Sequence, residues 1–179
     1  DLYEHRLHFR KYSLHTKIVL TANLFLLFVG ALLFYLIEHD DLFAGMTMTG
    51  KILSSFFCAV TPRTAGFNTV NVGGLTDASK LLTVILMFIG GAPGSTAGGI
   101  KVTTIVVLLV YLKANLTRTV GYNIFGRRLE DDALRKSAAV FCTNLFLATT
   151  AALILCTLQN FNGMDTLLEV FSAISTVGM

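Results

Sequence analysis

The chain has 179 residues, 54% hydrophobic and 14% charged, with no tryptophan and a formal net charge of +3. It is far more apolar than an average soluble domain, which makes a lipid bilayer the first environment to consider. Its three cysteines, Cys58, Cys142 and Cys156, lie in apolar stretches without CxxC or Cys/His spacing, which speaks against a disulfide framework or a metal site and leaves them as small hydrophobes.

Residues 1–17 form a basic segment containing Arg6, Arg10, Lys11 and Lys17. The run 18–37 (IVLTANLFLLFVGALLFYLI) carries no charge and is long enough for a helix to cross a hydrocarbon core of about 30 Å. Glu38, Asp40 and Asp41 follow and are expected to face outside. The next apolar run, ending in ILSSFFCAV, predicts a short helix over 51–60. Its apolar part descends only ~13 Å before Thr61 and Pro62 break it. The chain must then turn back, with 64–68 as a non-helical turn and 69–80 polar enough to return to the outer surface. Non-helical backbone at membrane depth is tolerated only where protein buries it or where it lines a watery cavity.

Residues 79–112 must recross the membrane, and a single helix of that length would measure ~51 Å, so a broken inner helix is predicted. The break falls between LLTVILMFI and VTTIVVLLVYL, where GGAPGSTAGGIK gathers five glycines and Pro93. An interrupted span points to an ion or substrate path, or to a gate. Lys101, at the edge of the break, has two readings: an ammonium in the watery cavity that opposes cations, or a snorkelling side chain paired with a carboxylate.

Residues 113–136 are a second basic segment, with Lys113, Arg118, Arg127, Arg128, Arg135 and Lys136. The positive-inside bias places both basic segments in the cytoplasm, and this sufficient topological explanation leaves no call for a nucleic-acid partner. The charge-free run 137–158 is the second full span. A polar turn from Asn160 to Asp165, a short helix over 166–174 and a turn over 175–179 follow. His5, His8, His15 and His39 flank the membrane without ligand spacing. The chain opens on Asp1 without a secretory leader pattern, and is read as part of a longer polypeptide.

The second half repeats the first. Phe57-Cys58-Ala59-Val60 matches Phe171-Ser172-Ala173-Ile174, and T-x-G follows as Thr64-Ala65-Gly66 and Thr176-Val177-Gly178, with Thr61 and Pro62 extra in the earlier copy. A cation entering a pore loses water, and oxygen ligands must replace it. Successive carbonyls can face one axis only if the backbone leaves ordinary angles, which glycine tolerates at Gly66 and Gly178. A threonine hydroxyl adds an oxygen at the inner end, and the negative carboxyl end of each short helix, aimed at the turn, favours a cation. Arg63 is read as a charge at the outer pore mouth held by an acid such as Asp77, and Asn68 as a brace for the turn. Asn23 and Asn144 are expected to hydrogen-bond to adjacent helices, and Glu169 to face the outer vestibule.

FFCAVTPRTAGFNTVNVGGLTDASKLLTVILMFIGGAPGSTAGGIKVTT resembles the membrane subunit of the Trk/Ktr/HKT superfamily of potassium transporters, in particular the bacterial Ktr and Trk type, and the likeness extends over nearly the whole chain. The resemblance implies an all-α integral membrane fold in which four linked repeats of outer helix, pore helix, filter loop and inner helix surround one pore. Residues 18–112 would be the third repeat and 137–179 the start of the fourth. It implies a filter of Thr64, Ala65, Gly66, Phe67 and Asn68 with Thr176, Val177, Gly178 and Met179, potassium lying at the carbonyls of Thr64, Ala65, Gly66, Thr176, Val177 and Gly178. It implies a gate in the loop of Gly90, Gly91, Ala92, Pro93, Gly94, Ser95, Thr96, Ala97, Gly98, Gly99 and Lys101. It further implies potassium uptake across the cytoplasmic membrane by a homodimer of membrane subunits over a ring of cytosolic nucleotide-binding regulatory subunits, without covalent catalysis or an organic cofactor.

Two other readings compete. A nucleotide-binding enzyme fails on spacing, because Gly99 is followed by Ile100, Lys101, Val102 and Thr103, whereas a phosphate loop needs glycine, lysine and hydroxyl in sequence. A secondary transporter with broken helices explains 90–101 but leaves the two T-x-G turns without purpose. Gly66 and Gly178 at the third filter position favour potassium over sodium on the family's pattern, and a sodium or mixed cation transporter of the same fold is the nearest alternative.

Overall fold

The computed structural model describes residues 12–95, 97–117, 123–124, 127–128, 131–158 and 162–179. Most of the first basic segment, Arg118, Thr96 and the start of the turn before the last helix lie outside the described residues. Apart from turns and loops, the described residues form helices and a two-residue antiparallel pair, β1 (Asn123–Ile124) with β2 (Arg127–Arg128), in the basic linker.

Among the described residues six α-helices follow in order: α1 (Leu14–Glu38), α2 (Met48–Val60), α3 (Asp77–Phe88), α4 (Val102–Leu116), α5 (Asp131–Leu158) and α6 (Gly163–Ile174). Hydroxyl caps set three of the starts. The Ser13, Thr47 and Thr76 side chains accept from the amides of Thr16, Gly50 and Ser79, so α2 begins at Met48, ahead of its apolar run. α1 and α5, at 25 and 28 residues, are long and apolar enough to cross a membrane. The other four have 12 to 15 residues and reach only ~18–23 Å.

The long helices turn their apolar surface outward. Only 22% of the most apolar stretch of α1 and 11% of that of α5 is buried. Phe25, Phe28, Leu32 and Leu36 on α1 and Phe146, Leu147, Leu153 and Ile154 on α5 are exposed. A soluble core helix would hide these side chains, whereas a hydrocarbon solvent accepts them, so the fold fits a membrane protein.

Two buried clusters hold the short helices. In one, Ala31 and Phe34 of α1 meet Cys58 and Ala59 of α2, Leu86 of α3 and Phe43. Gly30 permits this approach, since a Cβ there would lie 3.3 Å from both the Ala59 and Leu86 side chains. In the other, Val84 and Met87 of α3 meet Ala148 of α5, Leu168 and Phe171 of α6, and Val177. The helix α3 thus forms a common wall between the two helix–turn units, and Phe88 near its end packs edge-on against Phe171 and Phe141.

Glu38, unlike its exposed neighbours Asp40 and Asp41, is fully buried. Its carboxylate accepts from the Thr76 amide at 3.0 Å, the Thr76 hydroxyl at 2.8 Å and the Leu42 amide at 3.4 Å, tying the end of α1 to the start of α3. Nearby, Lys51 donates to the His39 carbonyl at 2.7 Å, and Lys80 pairs with Asp165 at 2.7 Å, joining α3 to α6. Glu38→Ala strands the Thr76 donors in a buried site, and is expected to destabilise the protein by about 1–3 kcal/mol. A thermal melt of the purified protein in detergent should therefore show a clearly lowered midpoint, while Asp40→Ala, at an exposed acid, leaves it in place.

Candidate functional site

α2 and α6 both end inside the molecule and release the chain into a turn of the same backbone pattern. Thr64 and Gly66 have φ of +73° and +71°, and Thr176 and Gly178 have +56° and +78°. The left-handed glycines follow from the sequence; the left-handed threonines do not, since a residue with a Cβ in that region costs roughly 1–3 kcal/mol unless its surroundings hold it. The turn amides do the holding by folding back on helix carbonyls: Ala65 and Gly66 donate to Thr61, Thr176 to Ala173, and Val177 to Ser172.

The carbonyls are treated differently. Among the described residues, no hydrogen bond reaches the carbonyl oxygens of Thr64, Ala65, Gly66, Thr176, Val177 or Gly178. Those of Phe67 and Met179 are engaged, accepting from the hydroxyls of Thr61 at 2.7 Å and Ser172 at 3.4 Å. The two turns also adjoin each other, because a Cβ at Gly66 would collide with the Val177 carbonyl oxygen. Ala65, Thr176 and Gly178 are exposed, and a dehydrated cation is the kind of partner that such a set of unengaged acceptors can take.

The break between α3 and α4 is a loop whose base is closed by Ile100 donating to the Phe88 carbonyl and Val102 to the Gly91 carbonyl, both at 3.2 Å. It lies directly against the second turn: the Gly98 amide donates to the Thr176 hydroxyl at 2.8 Å. That approach requires glycine, as a Cβ at Gly98 would sit 2.8 Å from the Ile174 carbonyl oxygen and from the Ser175 carbonyl carbon. Gly90 is equally constrained, its missing Cβ leaving room for the Gly98 carbonyl. Gly94, at φ +83° with open space around it, supplies the sharp bend at the tip.

Several side chains differ from their sequence-based expectations. Arg63 is not held by Asp77 at an outer mouth. Its guanidinium donates to the side-chain oxygen of Asn23 on α1, to the Asn23 carbonyl at 3.5 Å and to the Gly90 carbonyl at 3.5 Å. It therefore bridges α1, the first turn and the start of the loop, beside an open cavity of about 450 Å³ that Thr64, Ala92 and Ser95 also line. The Lys101 ammonium donates to the carbonyls of Ala97 and Ser95 and braces the loop from within. Asn68 is exposed and leaves the bracing of its turn to Thr61. Asn23 accepts from Arg63 and donates to Val19 of its own helix, and Asn144 likewise donates within its helix, to Val140. Glu169 is exposed. Cys58 is buried while Cys142 and Cys156 are exposed on α5. The bracing hydroxyls Thr61 and Ser172 were missed; the available signal was a polar residue set among apolar ones three or four places before each T-x-G.

Residues 6–179 match the TrkH family, described as cation transport protein. The chain is 36% identical to the potassium/sodium uptake protein NtpJ of Enterococcus hirae, the alignment covering 95% of this chain and 39% of that protein. It is 35% identical to the Ktr system potassium uptake protein B of Bacillus subtilis, over 96% of this chain and 39% of that protein, and 34% identical to the protein of the same name from Vibrio alginolyticus, over 100% and 40%. The chain thus spans about two fifths of the length of these relatives. All three are named as uptake proteins.

The position of Arg63 separates two variants. Asn23→Leu leaves the half-buried guanidinium short of an acceptor and is expected to lower thermal stability, by about 1–3 kcal/mol on the scale of hydrogen bonds to charged groups. Asp77→Asn should leave the melt unchanged. The opposite ranking would restore the outer-mouth reading.

Proposed function

The chain belongs to the TrkH family of cation transport proteins, and from that premise we propose that it is part of the pore-forming subunit of a potassium uptake system in the cytoplasmic membrane. The observation that carries the proposal is the set of six unengaged carbonyl oxygens on two adjoining left-handed turns. On this reading α1, α2, the first turn, α3 and α4 make one pore repeat, and α5, α6 and the second turn begin the next. The turns form part of a selectivity filter, with potassium at the oxygens of Thr64, Ala65, Gly66, Thr176, Val177 and Gly178.

The loop from Gly90 to Lys101 is the gate beneath this filter. Its small residues offer little packing to hold one conformation, so a modest differential contact suffices to shift it. The basic segments 1–17 and 113–136 face the cytoplasm and dock a ring of nucleotide-binding regulatory subunits, and the membrane subunit works as a homodimer. A sodium-conducting or mixed transporter of the same fold is the second reading, favoured by the Enterococcus hirae relative, a potassium/sodium uptake protein by name.

Gly66→Ser tests the filter directly. A side chain there must displace the Val177 carbonyl, so potassium-over-sodium preference in flux assays of the full-length transporter in proteoliposomes is expected to fall about tenfold or more, as a shift of ~1.4 kcal/mol gives. Gly45→Ser, where a Cβ meets nothing within 4 Å, is the matched control and keeps the preference. Undiminished selectivity in Gly66→Ser would remove this turn from the filter.

A further inference from the structure

The loop and the second turn share one hydroxyl. Thr176 is solvent-exposed at the loop-side end of its turn, and its Oγ1 accepts the Gly98 amide at 2.8 Å, a bond between residues 78 positions apart. The rest of the loop is tied mainly to itself and to the helices it joins: its base is pinned by Ile100 and Val102, and the Lys101 ammonium is held by the Ala97 and Ser95 carbonyls. Arg63 touches its first residue at a longer 3.5 Å. Among the described residues, the Gly98 to Thr176 bond is therefore the short polar link between loop and turn.

A threonine oxygen has two lone pairs, and an amide donor on one aims the positive end of its dipole at the oxygen. A cation ligated by the same oxygen would lie next to that positive end and be repelled by it. We propose that the Thr176 hydroxyl is a latch that the Gly98 amide and the potassium ion nearest the loop occupy in alternation, so that arrival of the ion releases the loop. The proposal rests on the reading of the two turns as a filter. Linkage makes it reciprocal: the factor by which the latched loop weakens ion binding at Thr176 is the factor by which the bound ion weakens the latch.

Hydrogen–deuterium exchange of the full-length transporter in lipid nanodiscs, read on peptides covering 90–101, follows the Gly98 amide. The probe is potassium chloride, replaced by choline chloride at constant ionic strength for the ion-free arm. Wild type and Thr176→Ser, which keeps the hydroxyl, are expected to exchange about fivefold or more faster in saturating potassium, the lower end of typical coupling between sites. Thr176→Val, which keeps the shape and removes the acceptor, should exchange fast in both salts. Potassium-independent exchange in wild type, or wild-type protection in Thr176→Val, overturns the latch. Should Thr176→Val not fold, the wild-type potassium titration decides alone. Selectivity of Gly66→Ser separates the two levels: potassium-independent exchange in a protein whose selectivity does depend on Gly66 removes the latch and leaves the filter.

Discussion

Backbone that leaves helical geometry away from water has to find its hydrogen bonds within the protein, and at the two T-x-G turns the amides find theirs while the carbonyls do not. At the ends of α2 and α6 the amides turn back onto the last helical carbonyls, while the carbonyls of the two T-x-G turns are left facing away. The left-handed angles at Thr64, Gly66, Thr176 and Gly178 produce this division, and the remaining architecture serves to keep it. Thr61 and Ser172 fix the far end of each turn through a hydroxyl, and α3 holds both units through one cluster on each side. A turn held in this way is preorganised, as the proposed filter role requires.

The second consequence of short helices is a broken segment beside the turns. α3 and α4 are each too short to span alone, and the loop between them occupies the space under the second turn. Glycine is used there for close approach as much as for flexibility: Gly90 and Gly98 face each other and a carbonyl of α6 at distances that exclude any side chain. Close contact with the turn and small, weakly packed side chains come from the same residues, which is what the proposed gating role draws on.

The helical elements were largely legible in the sequence. Charge-free runs of twenty residues identify α1 and α5, and a short apolar run ended by Thr61 and Pro62 identifies α2 because the breaker lies within the run. Gly66 and Gly178 signalled left-handed backbone, but Thr64 and Thr176 did not, since nothing local marks a threonine for a region its Cβ disfavours. Contacts between distant residues were not legible. Arg63 finds Asn23 forty residues away, in place of the nearer acid at Asp77. Glu38 lies next to Asp40 and Asp41 in sequence, yet it is buried on Thr76, 38 residues on. Charge alone places a residue on a side of the membrane; the partner it meets there depends on helix packing.

The account stands on cations occupying the space that the two turns share. Anomalous diffraction from crystals of the full-length protein grown in rubidium or thallium salts would locate them directly. The account predicts peaks within hydrogen-bond-like reach of the carbonyl oxygens of Thr64 to Gly66 and of Thr176 to Gly178 on one common axis. Density for the ion away from both turns, with these carbonyls directed into packed side chains, would contradict it.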